Sequence, residues 1–150
     1  MAQPQTLKPG NLIVEIGDGG SPEVFSAPCG FTQKSFQRNK SLGEVVIPDC
    51  DLPDAPAWVA RDVQSTSWSI TGEGILAGAA VAVWDTFFAS DTSRNVRITE
   101  SWAAPVGTIT YIGKMHIESL EIGASRGGGA ATINVSMQSD GAYTRSPALS

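Results

Sequence analysis

The sequence predicts a mainly β fold: an antiparallel β-sandwich or barrel of about seven or eight strands with one flanking α-helix. Three observations predict it. The chain has 16 glycines and nine prolines, a composition of turns and strands rather than long helices. Several segments alternate apolar and polar residues, whereas a single segment has helical periodicity. Strands and helices do not alternate along the chain, so a parallel sheet is not expected.

The first predicted element is a hairpin. In NLIVEI, Leu12, Val14 and Ile16 alternate with residues of the opposite face, as in a strand. The turn-forming segment GDGGSP follows, and EVFSAP is interpreted as the returning strand. The polar and basic segment GFTQKSFQRNK is then predicted as an exposed strand.

No hydrophobic period holds between about residues 41 and 65, so this segment is predicted to be a long loop. It contains IPDCDLPDAPAW, in which prolines interrupt three aspartates. Loops of this length are uncommon in compact domains and are commonly functional.

The second half of the chain contains the helix and the remaining strands. TSWSITGEG alternates again, with Trp68 and Ile70 on one face, and NVRITESW, TITYIGKMHI and ATINVSMQ read as strands. In the last of these, the core side is predicted to carry Ile133, Val135 and Met137. A helix over about residues 77–89 is predicted from an apolar stripe at spacings of three and four residues. The stripe consists of Ala77, Ala80, Val81, Trp84, Phe87 and Phe88.

All 150 residues are assigned to one domain, since no repeat or boundary divides them. Residues 1–11 and 143–150 are predicted to be terminal arms that are ordered by contacts with other molecules. The chain has no apolar run near the ~20 residues of a membrane helix and no recognisable signal peptide, so cytosolic synthesis without membrane contact is expected. Cys29 and Cys50 are then expected to be reduced, with a disulfide between them as the alternative.

Charge and motifs argue against nucleic-acid binding, metal binding and catalysis. A net charge of −5 is unlike the basic surface of phosphate-binding proteins. Counted from Asp49, the sixth and twelfth positions of an EF-hand loop hold Asp54 and Ala60 instead of glycine and glutamate. Two cysteines and one histidine are too few for structural zinc.

The remaining chemical motifs are equally weak. Gly72, Gly74 and Gly78 are spaced G-x-G-x-x-x-G, which is not the dinucleotide fingerprint. His116 falls on the polar side of a strand without an identifiable nucleophile. No enzyme activity, cofactor or metal is therefore expected.

One charge pattern remains. A basic segment carrying Lys34, Arg38 and Lys40 runs directly into an acidic segment, residues 44–62, in which Arg61 is the only cation. Its acidic residues are Glu44, Asp49, Asp51, Asp54 and Asp62. Two explanations of this pattern are equally open. One is ordinary solvated surface. The other is that the basic strand of one copy complements the acidic loop of the next copy, in a head-to-tail contact that builds rings or filaments.

The chain resembles the major tail tube proteins of long-tailed, non-contractile phages and the related tail proteins of gene transfer agents. The resemblance runs over about residues 8–143. It is carried by PCGFTQKSFQ, VIPDCDLPDAPAWVARDV, STSWSITGEGIL, AVAVWDTFFAS, YIGKMHIESLEIG and GGAATINVSMQSDG.

This resemblance implies a structural subunit of the virion tail, assembled in the host cytoplasm. Members form hexameric rings that stack into a hollow tube around a tape-measure protein, between a tail terminator and a distal tail protein. DNA passes through the lumen during ejection without specific binding. The long loop and the N-terminal arm occupy the positions that connect rings in the family. We therefore expect Asp49, Asp51, Asp54 and Trp58 to contact the next ring.

Other assignments stay open. Lys34, Arg38 and Lys40 are candidate partners of the acidic loop by charge alone, and a Cys29–Cys50 bond within or between copies would strengthen a released particle. The alternatives are a ring protein like those of type VI secretion tubes, or a monomeric carbohydrate-binding β-sandwich that uses the exposed Trp58 or Trp102.

Overall fold

Seven strands pair into one antiparallel sheet, with a single helix packed against it, in a computed structural model that describes residues 3–8, 11–27, 31–124 and 131–147. The elements are β1 (Leu12–Gly17), β2 (Phe25–Ser26), β3 (Phe31–Ile47), β4 (Trp58–Ile75), α1 (Gly78–Ala89), β5 (Arg94–Ser101), β6 (Thr108–Gly123) and β7 (Thr132–Ser146). The predicted mainly β fold with one flanking helix is confirmed, and α1 matches the segment predicted from the apolar stripe.

The sheet has the strand order β2-β1-β5-β6-β7-β4-β3 and does not close into a barrel. It curls instead, as a contact between β3 and β1 shows: the ammonium group of Lys34 donates a hydrogen bond to the carbonyl oxygen of Leu12. Two strands that are far apart in the order therefore approach each other.

The core lies between the concave side of this sheet and α1. Val96, Ile98 and Met115 are fully buried on β5 and β6, and Trp84 and Phe87 cover them from the helix. The other members of the core are Val14, Ile16, Trp68, Ile70, Ala80, Tyr111, Ile133, Val135 and Met137. Apart from Ala80 on α1, they lie on β1, β4, β6 and β7, where the core residues of each strand occupy alternate positions, as one buried face of a sheet requires.

An aromatic cluster closes the core where β3 and β4 leave the other strands. The Trp68 ring meets Phe36 edge-on at 6.0 Å and Tyr143 at 5.7 Å, and Tyr111 lies 5.2 Å from both Phe36 and Tyr143. The indole N–H of Trp68 donates to the carbonyl oxygen of Gly141 at 3.0 Å. A satisfied donor among packed rings holds this end of the sheet rigid.

The prediction of a loop over about residues 41–65 is wrong for most of its length. β3 continues to Ile47 and β4 begins at Trp58, so only residues 48–57 form a loop. The two strands pair in this region through partners such as Val45 with Ala60 and Val46 with Val59. Alternation was absent because apolar residues stand on both faces of these strands, and an alternation test detects only strands with one polar face.

The N-terminal segment is irregular, whereas part of the predicted C-terminal arm belongs to the sheet. Residues 3–8 have no regular structure, and the Gln5 side-chain amide donates to the carbonyl oxygen of Ala104 at 3.0 Å. Residues 143–146, predicted as part of the C-terminal arm, extend β7 and pair with residues 110–113 of β6. Among the described residues, no helix has the length and apolar character of a membrane span.

Candidate assembly interface

The outer halves of β3 and β4 project from the sheet as a separate hairpin. We call this hairpin (residues 41–65) the arm; it is distinct from the predicted terminal arms. β4 pairs with β7 only over Ser69–Ile75, so the arm strands pair with each other alone. A β-bulge marks the base of the arm, where Ser41 pairs with Ser65 but Leu42 pairs with Val63. At ~3.3 Å per residue, the six residues of β3 beyond this base extend about 20 Å from the body.

The tip of the arm (residues 48–57) carries the predicted acidic residues Asp49, Asp51 and Asp54, all exposed. The carboxylate of Asp49 accepts a hydrogen bond from the backbone N–H of Asp51 at 2.9 Å, and the N–H of Ala55 donates to the carbonyl oxygen of Leu52 at 3.0 Å. These local bonds shape the tip. Across the described part of the chain, no cluster of His, Cys, Asp or Glu is suited to hold a metal ion.

The arm also exposes more large apolar side chains than any other described element. Trp58, the first residue of β4, is 80% exposed. Leu42, Val45, Val46, Ile47, Leu52, Val59 and Val63 are exposed with it. A contiguous apolar surface of this kind marks a site of interaction with another molecule.

The predicted basic residues lie on β3 but are largely engaged within the chain. Lys34 donates to β1, as described above. The guanidinium of Arg38 lies over the rings of Phe36 and Tyr111 at 5.3 and 5.5 Å. A hydrogen bond to the side chain of Tyr143 favours the charged form and raises the pKa of Arg38. Lys40 is exposed. Within one copy the three do not meet the acidic tip, and their pairing with another copy stays a prediction.

The face of the sheet opposite the core is polar across β3, β4, β7 and the end of β6. An open groove of about 350 Å³ runs across it, lined mainly by Gln33, Ser35, Thr71, Glu73, Ser119, Glu121, Asn134 and Ser136. The carboxylate of Glu118 accepts hydrogen bonds from Ser136 at 3.2 Å and Gln138 at 2.8 Å, so this face is ordered by its own side chains. We call it the polar face.

Two free strand edges border the polar face. β3 pairs only with β4 along its whole length, which leaves its other edge open. β5 covers β6 only over residues 108–115, so residues 116–123 of β6 also present an unpaired edge. Because the four strands lie in the order β6-β7-β4-β3, the two free edges stand on opposite sides of the same polar face.

The cysteine prediction remains untested. Cys50 is exposed at the tip of the arm, whereas Cys29 lies outside the described residues. A disulfide between them stays a prediction.

Sequence reasoning identified the acidic tip and Trp58 but missed the apolar arm strands and the free edge of β6. The run Val45-Val46-Ile47 and the pair Trp58-Val59, which flank the proline-rich tip symmetrically, were a signal for a hairpin. The free edge had no local signal, because it depends on where β5 ends.

Comparison with known proteins places these features in a family. Residues 7–145 match the profile of a family described as phage tail tube protein. Among solved structures, the tail of an empty gene transfer agent particle, obtained with helical refinement in C6 symmetry, superposes with a TM-score of 0.70 at 18% identity, covering 93% of this chain and 98% of that one.

Two more distant structures share the fold. The SPP1 tail tube gives a TM-score of 0.57 at 14% identity, covering 93% of this chain and 78% of that one. The sheath–tube complex of an extracellular contractile injection system gives 0.59 at 13% identity, covering 93% and 90%. No curated protein is significantly similar to this chain.

Proposed function

Because this chain belongs to the phage tail tube protein family, a family of structural proteins of the virion tail rather than enzymes, we propose that six copies join edge to edge into a ring and that rings stack head to tail into a hollow tube. The observation that carries this proposal is the pair of free strand edges on either side of the polar face. Six copies are proposed because the gene transfer agent tail with the same fold has C6 symmetry.

In the proposed ring, the open edge of β3 in one copy pairs with residues 116–123 of β6 in the next. Unpaired edges expose rows of backbone N–H and C=O groups, which invite pairing with another strand. Joining β3 to β6 extends the order β6-β7-β4-β3 without a break, so that six polar faces become one continuous surface. Because the core and α1 cover the other side of the sheet, the polar surface is the side that faces the axis of the ring.

The polar face then lines the lumen through which DNA passes during ejection. On β3, β4 and β7 it carries serine, threonine, asparagine, glutamine and Glu73 but no lysine or arginine among the described residues. Each phosphate neutralised by a cation adds salt-dependent grip. A wall without cations on three of its four strands lets DNA slide without binding.

The arm connects rings in this proposal. Its tip, with Asp49, Asp51, Asp54 and Trp58, contacts the next ring, where the exposed Lys40 of β3 is a candidate partner. The tape-measure protein occupies the lumen during assembly, and a tail terminator and a distal tail protein bind the two ends of the tube.

Engineered cysteines test the edge contact. In a Cys29→Ser, Cys50→Ser background, Gln37→Cys on β3 is combined in turn with cysteine at Glu118, Ser119 or Glu121 on β6. Oxidation of assembled protein is expected to give a ladder of covalent oligomers that stops at six for at least one pair, because a closed ring has no further partner. Negative-stain electron microscopy of the same sample is expected to show rings or hollow rods.

The control combines Gln37→Cys with Asp85→Cys, which lies on the exposed side of α1 away from both edges. This pair should remain monomeric after oxidation. A ladder that continues beyond six would exclude the hexameric ring, and a chain that stays monomeric at every concentration would contradict the proposed function.

A further inference from the structure

The arm is apolar on both of its faces, which is unusual for a hairpin on a protein surface. Residues directly opposite each other in an antiparallel pair point to the same side, and successive pairs alternate. The pairs Val45–Ala60 and Ile47–Trp58 therefore form one face, which we call the Trp58 face. The pairs Leu42–Val63, Glu44–Arg61 and Val46–Val59 form the opposite one, the Val46 face.

Neither face is covered by its own chain. Val45 on the Trp58 face is 58% exposed, and its neighbour Val46 on the other face is 61% exposed. An ordinary surface hairpin buries one face on the core and hydrates the other with polar residues. Here the pairs nearest the tip are apolar on both faces, whereas the charged strand residues lie nearer the base, with Asp62 opposite Gly43 on the Trp58 face. Both sides of the outer strands therefore require an apolar partner.

The single ion pair within the apolar strands is compatible with burial. Arg61 Nε lies 3.2 Å from the Glu44 carboxylate, directly across the strands on the Val46 face. A charge that becomes buried must be paired and hydrogen-bonded. This pair neutralises the only two charges of the Val46 face before any partner arrives.

The described surface of one copy offers no slot that would enclose both faces at once. The groove of the polar face, about 350 Å³, and a neighbouring groove of about 470 Å³ near Thr32, Ile75 and Thr132 are both lined mainly by polar side chains. The most apolar groove, about 270 Å³ between Ala82, Val83 and the end of β1, is too small for a two-stranded ribbon. Since the two faces point in opposite directions, each needs a covering surface of its own.

We propose that each arm is clamped between two other copies of this chain, one packed on the Trp58 face and one on the Val46 face. This inference rests on the proposed function, since in a tube built from one chain the neighbours of every copy are further copies. The arm is the direct continuation of β3, the edge that the ring neighbour is proposed to pair with, so one of the two clamping copies is already beside it. The other belongs to the adjacent ring, toward which the arm projects.

Two adjacent valines give a matched test of the two faces. Val45→Thr and Val46→Thr keep the β-branched shape and the strand preference but add a hydroxyl to opposite faces. Each is expected to raise the critical concentration for tube formation about fivefold or more, because a hydroxyl replaces a buried methyl in every copy. Sedimentation at a series of protein concentrations measures this. Val24→Thr is the control, since Val24 is 61% exposed in the turn before β2 and should assemble like the wild type.

A photo-crosslinking amino acid tests whether the two faces touch different copies. Chains with the crosslinker at position 45, at position 46 or at both are assembled in small proportion with an excess of wild-type chain. Each single substitution is expected to yield covalent dimers, and the double substitution is expected to yield trimers as well.

The outcomes separate this inference from the proposed function. Wild-type tubes in which only one of Val45→Thr and Val46→Thr shifts the critical concentration, or in which the double crosslinker gives dimers alone, would overturn the clamp while the tube stands. Wild-type chain that forms neither rings nor tubes would overturn both.

Discussion

Gly113 on β6 occupies a position where the buried Trp68 leaves no room for a side chain. A Cβ added there would lie 2.5 Å from an atom of the indole ring and 3.1 Å from the Cα of Tyr143. The glycine therefore lets Trp68 pack flat against the strand and keep its hydrogen bond to Gly141. A single missing side chain decides how the aromatic cluster closes the core.

Gly113→Ala is expected to lower the free energy of unfolding by about 1–3 kcal/mol, the usual cost of overpacking a core. Urea denaturation followed by tryptophan fluorescence measures it. Gly78→Ala is the matched control, because nothing lies within 4 Å of its added methyl group at the start of α1. Equal destabilisation by both substitutions would show that Trp68 does not set the requirement at Gly113.

At this scale the sequence predicted core residues of the strands, whereas Phe88, part of the predicted apolar stripe of the helix, is 55% exposed. It did not predict why particular small residues are needed. Alternation placed Val14, Ile16 and Ile133 inside, and all three are buried. The role of Gly113 depends on an indole from another strand, and no local pattern reports such a contact. The intramolecular engagement of Lys34 and Arg38 was missed for the same reason, since their partners lie on β1, β6 and β7.

Among the elements, α1 begins without a capping side chain. Ala77 is the N-cap residue, its side chain makes no hydrogen bond to the helix, and the first turn contains no acidic residue. The helix therefore depends on burial of Ala80, Trp84 and Phe87 rather than on its ends.

Ala77→Thr is expected to be more stable than Ala77→Val by about 0.5–2 kcal/mol, because the threonine oxygen accepts a hydrogen bond from a free N–H of the first turn. Valine has the same shape without the acceptor, so the difference between the two variants isolates the cap. Thermal unfolding of both variants measures it. Indistinguishable midpoints would mean that the first turn gains nothing from a cap.

The elements themselves differ in how far sequence could predict them. A strand with one buried face and a helix with one apolar stripe each have a hydrophobic period, and this period predicts both kinds of element. For the arm strands, the sequence predicts a loop because Val45, Val46 and Ile47 break the alternation. That failure has a physical meaning, since a strand loses alternation when both of its faces are destined for burial.

Over the whole molecule, charge is sorted by location. The polar face carries Glu73, Glu118 and Glu121, while Lys34 and Arg38 lie on the core side of β3 against β1 and the aromatic cluster. On β3, these two cations are thus placed away from the proposed lumen.

Glu121→Lys is expected to make the lumen retain DNA. Tubes assembled in the presence of a short DNA duplex should hold it in a form protected from nuclease at low salt and release it as salt is raised, since phosphate contacts are salt-dependent. Asp85→Lys, the same charge change on the exposed side of α1, is the control and should bind DNA only in a nuclease-sensitive form. Protection by the control but not by Glu121→Lys would place the lumen on the other side of the sheet.

The arm shares its two strands with the sheet of the body, and this gives the proposed assembly a mechanical property. Hydrogen bonds between antiparallel strands run perpendicular to the strand direction. A pull on the arm along its length therefore loads the β4–β7 pairs from Ser69–Gln138 to Ile75–Thr132 in shear, all together rather than one after another. We therefore expect a tube joined by such arms to resist stretching along its axis. Bending is expected at the contacts between rings, which the arms alone cross.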